Sequence, residues 1–221
     1  MPIPKLPIVI LISGGGSNLQ AIIDATAENK LPVDIRAVIS NRPDIRGLRR
    51  ANRAGLRTEV IDHTTFDSRE AFDEALKRCI DNFEPRLVVL AGFMRLLSND
   101  FVTHYLGGML NIHPSLLPAF KGLNTHARVL AAFKEGAVEK HGASVHFVTA
   151  ELDGGPVIIQ APVSIKPDDT PETLATRVLK HEHQIYPMAI RWFAEGRLRL
   201  QGNHVWLDEQ ALNAPVIFTK T

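Results

Sequence analysis

Pro7-Ile8-Val9-Ile10-Leu11-Ile12-Ser13-Gly14-Gly15-Gly16-Ser17-Asn18-Leu19-Gln20 decides how the rest of this chain is read. From Ile8 to Ile12 every position is apolar, as expected of a strand covered on both faces. Three glycines then break the strand, and helical spacing begins at Asn18 and runs to Asn29. A strand that feeds a helix through a glycine turn opens an α/β unit. The glycines let backbone N–H groups curl around an anion, and the helix N-terminus adds a favourable dipole. The loop is not a dinucleotide fingerprint, because Leu19 stands where a third glycine is needed and the next strand runs into Ser40-Asn41. Nor is it a Walker A loop, since the Gly-Lys-Ser/Thr ending is missing. A single phosphate monoester is the expected ligand.

The alternation continues beyond this stretch. Val33 to Ile39, Thr58 to Ile61, Leu87 to Ala91 and Leu110 to His113 are runs of strand length. Ile45 to Ala54, Ser68 to Phe83 and Asn99 to Tyr105 carry helical spacing between them. Such alternation predicts an α/β fold with a Rossmann-like, doubly wound, mostly parallel sheet. Gly142 to Val148 and Val157 to Ile165 read as longer strands joined by the polar Thr149 to Gly155 loop, an antiparallel C-terminal extension. A long late helix from Pro171 to Glu195 follows, with Thr170 as its N-cap and Pro171 in its first position. Val205-Trp206-Leu207 is expected in a late hairpin. No repeat or linker divides the 221 residues. A single domain over 1–221 is expected, with a phosphate-binding half to about residue 108 and a catalytic half from about 109.

The composition narrows the function classes. A formal net charge of +1 provides no broad surface for nucleic acid or an anionic membrane. The one cysteine, Cys79, falls in a helical segment and allows no internal disulfide. Met1 to Pro7 is too rich in proline for a signal peptide, and no apolar stretch approaches the ~20 residues of a membrane span. A cytoplasmic protein is expected. Nine histidines raise the question of a metal, but His181 and His183 diverge on a helix, and no HExxH or CxxC spacing exists. No metal is expected.

Chemistry gathers in Asn111-Ile112-His113-Pro114-Ser115. The two-residue period of a strand puts Asn111 and His113 on one face, and Pro114 stops the strand beside them. That C-terminal edge is where open α/β sheets place their ligand crevice. An amide and an imidazole together suit acyl transfer, one for an oxyanion and one for a proton. Asp153, flanked by Gly154-Gly155, adds a carboxylate. Ala91-Gly92-Phe93-Met94-Arg95-Leu96-Leu97 is unusually apolar for a loop and reads as a pocket for a flat heterocycle.

These segments resemble the phosphoribosylglycinamide formyltransferase family. The resemblance is carried by Leu11 to Gln20, Leu90 to Arg95, Leu110 to Pro118, and Gly142 to Val148 through Leu152 to Pro156, and extends from about residue 7 to about 207. It implies a Rossmann-like fold and transfer of the formyl group of 10-formyltetrahydrofolate to glycinamide ribonucleotide. It further implies that Gly16, Ser17 and Asn18 hold the substrate phosphate, and that Lys180 and Glu182 meet its ribose and glycinamide. Arg69, Met94, Arg95, Leu96 and Leu97, with Asn111, Thr149, Ala150, Glu151, Leu152 and Asp153, fall on the folate side. Asn111, His113 and Asp153 match the catalytic trio. The chain departs from the family at Lys121, where proline is frequent, at Asn124, where histidine is common, and in a longer Arg128 to Lys140 stretch. The alternatives are hydrolysis of 10-formyltetrahydrofolate and a non-catalytic phosphometabolite-binding protein. A monomer or weak homodimer is expected.

Overall fold

Ile8 to Ile12 are fully buried, and the reason is visible in their alternation. Ile8, Ile10 and Ile12 enter one apolar cluster, while Val9 and Leu11 enter a second on the opposite face of the same strand. The computed structural model describes residues 5–219; Met1 to Pro4 of the proline-rich start, together with 220 and 221, lie outside the described residues.

The elements in chain order are β1 (Leu6–Ile12), α1 (Ser17–Ala27), β2 (Val33–Ser40), α2 (Arg46–Arg53), β3 (Thr58–Val60), α3 (Arg69–Asp81), β4 (Leu87–Leu90), α4 (Asn99–His104) and β5 (Met109–His113). They continue as α5 (Thr125–Lys134), β6 (Lys140–Phe147), β7 (Val157–Ser164), α6 (Pro171–Ala194), β8 (Leu198–Gln201), β9 (His204–Leu207), β10 (Gln210–Ala211) and β11 (Val216–Ile217). The main sheet has the order β11-β7-β6-β5-β4-β1-β2-β3. From β3 to β5 all neighbours are parallel, and β6 and β7 add antiparallel strands. This is the expected doubly wound sheet with its antiparallel extension.

Helices cover both faces. Leu19 and Ile22 of α1 pack in the first cluster with Val129 and Leu130 of α5 and Leu174, Val178 and Ile185 of α6. Phe72, Leu76 and Ile80 of α3 and Phe101 and Val102 of α4 fill the second. The chain leaves β1 toward β2 and β3 on one side and returns to β4 and β5 on the other. That reversal opens a crevice outside the C-terminal ends of β1 and β4.

The late helix begins as expected: the Thr170 side chain accepts from Thr173 N, Pro171 is the first helical residue, and Thr173 returns a bond to the cap. Its buried Tyr186 brings a hydroxyl 2.9 and 3.0 Å from the carbonyls of Leu90 and Leu110, tying α6 to both strands that feed the crevice.

Two elements, α5 and β11, were not expected, and the expected late hairpin gains a third strand. Helix α5 forms over part of the longer Arg128 to Lys140 stretch, and its start carries no capping side-chain bond because Asn124 adopts a left-handed φ of 56°. Strand β11 adds to the edge of the main sheet beside β7. The late hairpin at Val205 to Leu207 is the middle of a separate sheet, β10-β9-β8. The short length of β10 and β11 left no readable period.

Candidate active site

Two loops and one strand end meet at the crevice. The first is Ser13 to Ser17. Gly16 stands at a φ of 69° and caps α1 without any side-chain bond, so the first N–H groups of the helix remain for another acceptor. Helix α2 sets the orientation of this loop. Gly47 N–H donates to the carbonyl of Gly14 (3.0 Å), and Arg50 Nε donates to the carbonyl of Gly15 (3.0 Å). In a trans peptide the N–H points opposite to the carbonyl. Holding both carbonyls against α2 therefore turns the N–H groups of Gly15 and Gly16 away from it. The packing leaves no room for a side chain: a methyl group on Gly16 would lie 2.7 Å from Gly47 Cα.

Glu182 reaches this loop from α6. Its carboxylate accepts from Asn18 Nδ2 at 2.7 Å, and both side chains are buried. Burial pushes the Glu182 carboxyl up, partly offset by the Asn18 bond. Among the described residues Asn18 Oδ1 is buried without a partner, which leaves an acceptor beside Glu182. Lys180 is not brought here. It is exposed and lies two positions from Glu182, so the two side chains diverge on the helix.

The strand end is β5. Asn111 lies directly across from His146 of β6, and Asn111 Nδ2 is 3.0 Å from His146 Nε2. The other nitrogen of His146, Nδ1, faces the Phe147 carbonyl at 2.9 Å. A carbonyl only accepts, so Nδ1 carries the proton and Nε2 accepts from the Asn111 amide. That bond fixes which way the amide is turned and leaves its second N–H for a ligand. His113 Nε2 donates to the Phe120 carbonyl (3.0 Å), and its Nδ1 lies 3.4 Å from Asp153 Oδ2. Asp153 also accepts from Gly122 N (2.9 Å) and comes within 3.8 Å of His146. The trio Asn111, His113 and Asp153 is thus one cluster, with His146 as its fourth member.

His146 had not been singled out. The available signal was polar alternation: Ser144 and His146 alternate with the apolar Ala143, Val145 and Phe147. Ser144 serves the same face. Its hydroxyl donates to the Ser115 carbonyl (2.7 Å) and accepts from Leu117 N (3.0 Å), holding the turn that follows His113.

A cavity opens beside the trio, with a volume of about 110 Å³, and Arg95, Leu96, Leu97, Asn111, and Thr149 to Asp153 line it. Met94 does not line it and is 65% exposed; its N–H donates to Ser13 Oγ (2.7 Å), joining the two loops. Arg69 stands in an adjoining cavity of about 360 Å³ with Leu96, Leu97 and Ala150. The Lys121 ammonium and the Glu151 carboxylate, 2.6 Å apart, link the turn before α5 to the 149–155 loop across this mouth. Among the described residues no three His, Cys, Asp or Glu side chains are grouped to hold a metal ion, and no helix is long and apolar enough to cross a membrane.

Residues 6–190 match the formyl transferase family model. The chain belongs to the formyl transferase family. Within this family it is 55% identical to phosphoribosylglycinamide formyltransferase of Escherichia coli strain K12, over 93% of this chain and 95% of that protein. It is also 45% identical to the human trifunctional purine biosynthetic protein adenosine-3, over 93% of this chain but 20% of that longer protein. The structure of phosphoribosylglycinamide formyltransferase from Coxiella burnetii in complex with CHES superposes with a TM-score of 0.91 at 54% identity, covering 97% of this chain and 100% of that one. This formyl transferase fold therefore agrees with the resemblance read from the sequence.

Burial also makes the site sensitive to acid. It pushes the imidazole of His146 down to about 4, against the pull of the Phe147 carbonyl and Asp153. His141 is likewise held at about 4, by burial and then by His126 and His113. Both are neutral in the fold, whereas an unfolded histidine takes a proton near pH ~6.5. Unfolding therefore takes up protons between about 6.5 and 4; the stability is complete above that window and is lost as pH falls through it. Each histidine contributes a slope of up to ~1.4 kcal/mol per pH unit. Glu182 and Asp73, whose carboxyls burial pushes up, oppose this at the lower end. Urea unfolding between about pH 6.5 and 5.5 should show the falling stability, and His141→Gln should remove part of the slope. A pH-independent midpoint would contradict it.

Proposed function

We propose that this chain transfers the formyl group of 10-formyltetrahydrofolate to the amine of glycinamide ribonucleotide, a step of de novo purine biosynthesis. The observation that carries the reading is the pairing of two sites in one crevice: an uncapped glycine loop for a phosphate, and an amide, imidazole and carboxylate cluster beside an apolar-lined cavity. The high identity to proteins named for this activity supports it.

In this reading Gly16, Ser17 and Asn18 receive the phosphate, and Glu182 with Asn18 orients the ribose and glycinamide end. The folate lies against Arg95, Leu96, Leu97 and residues 149–153, with Arg69 and Met94 toward its outer part. The glycinamide nitrogen attacks the formyl carbon and gives a tetrahedral oxyanion. The second N–H of Asn111, set by His146, donates to that oxyanion. His113 stabilises it and delivers a proton to the departing N10, since a reacting atom that replaces either of its acceptors receives its hydrogen bond. Asp153 holds the imidazole, and the amine proton leaves through water or Asp153. The C–N bond to the amine forms as the carbonyl pair moves onto oxygen, and the C–N10 bond breaks when the oxyanion collapses; one proton leaves the amine and one joins N10. The chain acts as one formyltransferase domain over 1–221, cytoplasmic, as a monomer or weak homodimer without nucleic-acid or membrane partners. Lys180 takes the lesser part, on the exposed side of α6.

Gly16→Val tests the phosphate assignment. With a φ of 69° and Gly47 Cα in the way, the side chain must displace the loop. The KM for the ribonucleotide should rise roughly 10- to 100-fold, the worth of about one charge-assisted hydrogen bond, while the KM for the folate changes far less. An unchanged ribonucleotide KM in a folded variant would put the phosphate elsewhere.

A further inference from the structure

We infer that the outer face of α2 is an anion-capture surface that draws the phosphate of the acceptor to the glycine loop. The inference rests on the function proposed above. Arg46, Arg49, Arg50 and Arg53 occur at i, i+3, i+4 and i+7 and so share one face of the helix. The opposite face, Gly47, Leu48 and Ala51, is buried. Arg42, also exposed, precedes the stripe.

These arginines differ from others on this surface in lacking counter-ions. Arg36, Arg78, Arg191 and Arg199 each meet a carboxylate. Among the described residues none of Arg42, Arg46, Arg49, Arg50 and Arg53 forms an ion pair; Arg49 and Arg50 donate instead to uncharged oxygens. Like charges three and four residues apart repel on a helix, and Arg46 sits in the first turn, where the helix dipole is unfavourable to a cation. The dipole favours Arg50 and Arg53 in the last turn, but local stability gives no reason for Arg46 or for four mutually repelling cations on one face.

Position supplies one. The same helix holds the loop, through Gly47 to the Gly14 carbonyl and Arg50 to the Gly15 carbonyl. A helix of this length spans ~12 Å, so the stripe lies within about one to two Debye lengths (~8 Å each at physiological salt) of the phosphate position. The whole chain carries a formal net charge of only +1, so any attraction for a dianion must come from such a local field. The loop itself provides N–H groups and no cationic side chain, and the stripe supplies the charge that it lacks.

The test is the triple variant R46Q/R49Q/R53Q, which leaves Arg50 on the loop. At low ionic strength its KM for glycinamide ribonucleotide should rise roughly 5- to 10-fold, with kcat and the folate KM retained. The difference should vanish at about 0.5 M salt, where the field is screened within a few ångströms. The R46K/R49K/R53K variant, which keeps the charge, should restore the parent KM, and inorganic phosphate should inhibit the glutamine variant more weakly than the parent. Equal KM values and equal salt dependence in parent and glutamine variant would overturn the capture surface. No acceptor-dependent turnover in the parent would instead refute the function on which it rests.

Discussion

His113→Ala and Asp153→Asn should each lower kcat by at least ~100-fold, the scale of general acid–base contributions, with folate affinity changed far less. Asp153→Asn is the sharper of the two. Asp153 adopts a left-handed φ of 47°, a conformation that asparagine also tolerates, and an amide oxygen can still accept from Gly122 N. The substitution thus removes the charge facing His113 and leaves the loop in place. Asn111→Ala should cost ~2.7–4 kcal/mol of barrier, as for the loss of one oxyanion donor. Steady-state kcat and KM for both substrates check these values. Near-full kcat in either the His113 or the Asp153 variant would remove that residue from the mechanism.

The second large effect concerns the acceptor. The phosphate loop and Glu182 hold one end of the ribonucleotide, and the trio holds the formyl group. Positioning of this kind can be worth ~7–11 kcal/mol, and water gains none of it. Folate deformylation should therefore fall by at least ~1000-fold when glycinamide ribonucleotide is withheld. An acceptor without its phosphate should fall between these limits, which stopped assays with each acceptor can measure.

Strong local rules made much of this readable. The run from Ile8 to Ile12 had to be doubly buried, the glycines had to end it, and Thr170-Pro171 had to start a helix. Asn111 and His113 were legible as a pair because strand period and Pro114 fix their face. What sequence order hides is contact across the fold. Asn18 and Glu182 are 164 positions apart and share a hydrogen bond that only the packing of α1 on α6 produces. His146 is placed by its register opposite Asn111, and register cannot be read from one strand. The resemblance implies substrate contacts for both Lys180 and Glu182, but a helix turns positions two apart to different sides, and only Glu182 faces Asn18. Asn124 is a favoured N-cap residue ahead of helix α5, yet in its left-handed conformation the side chain makes no cap bond.

The fate of the formyl carbon itself distinguishes direct transfer from hydrolysis. Enzyme is mixed with 10-formyltetrahydrofolate labelled in the formyl group and with glycinamide ribonucleotide, and the label is apportioned between formylated ribonucleotide and free formate. Direct transfer in the Asn111, His113 and Asp153 cluster requires nearly all of it in the ribonucleotide, one formyl group for each folate released, and almost none as formate when the acceptor is absent. Rapid release of labelled formate without the acceptor would contradict the account and assign this site to hydrolysis.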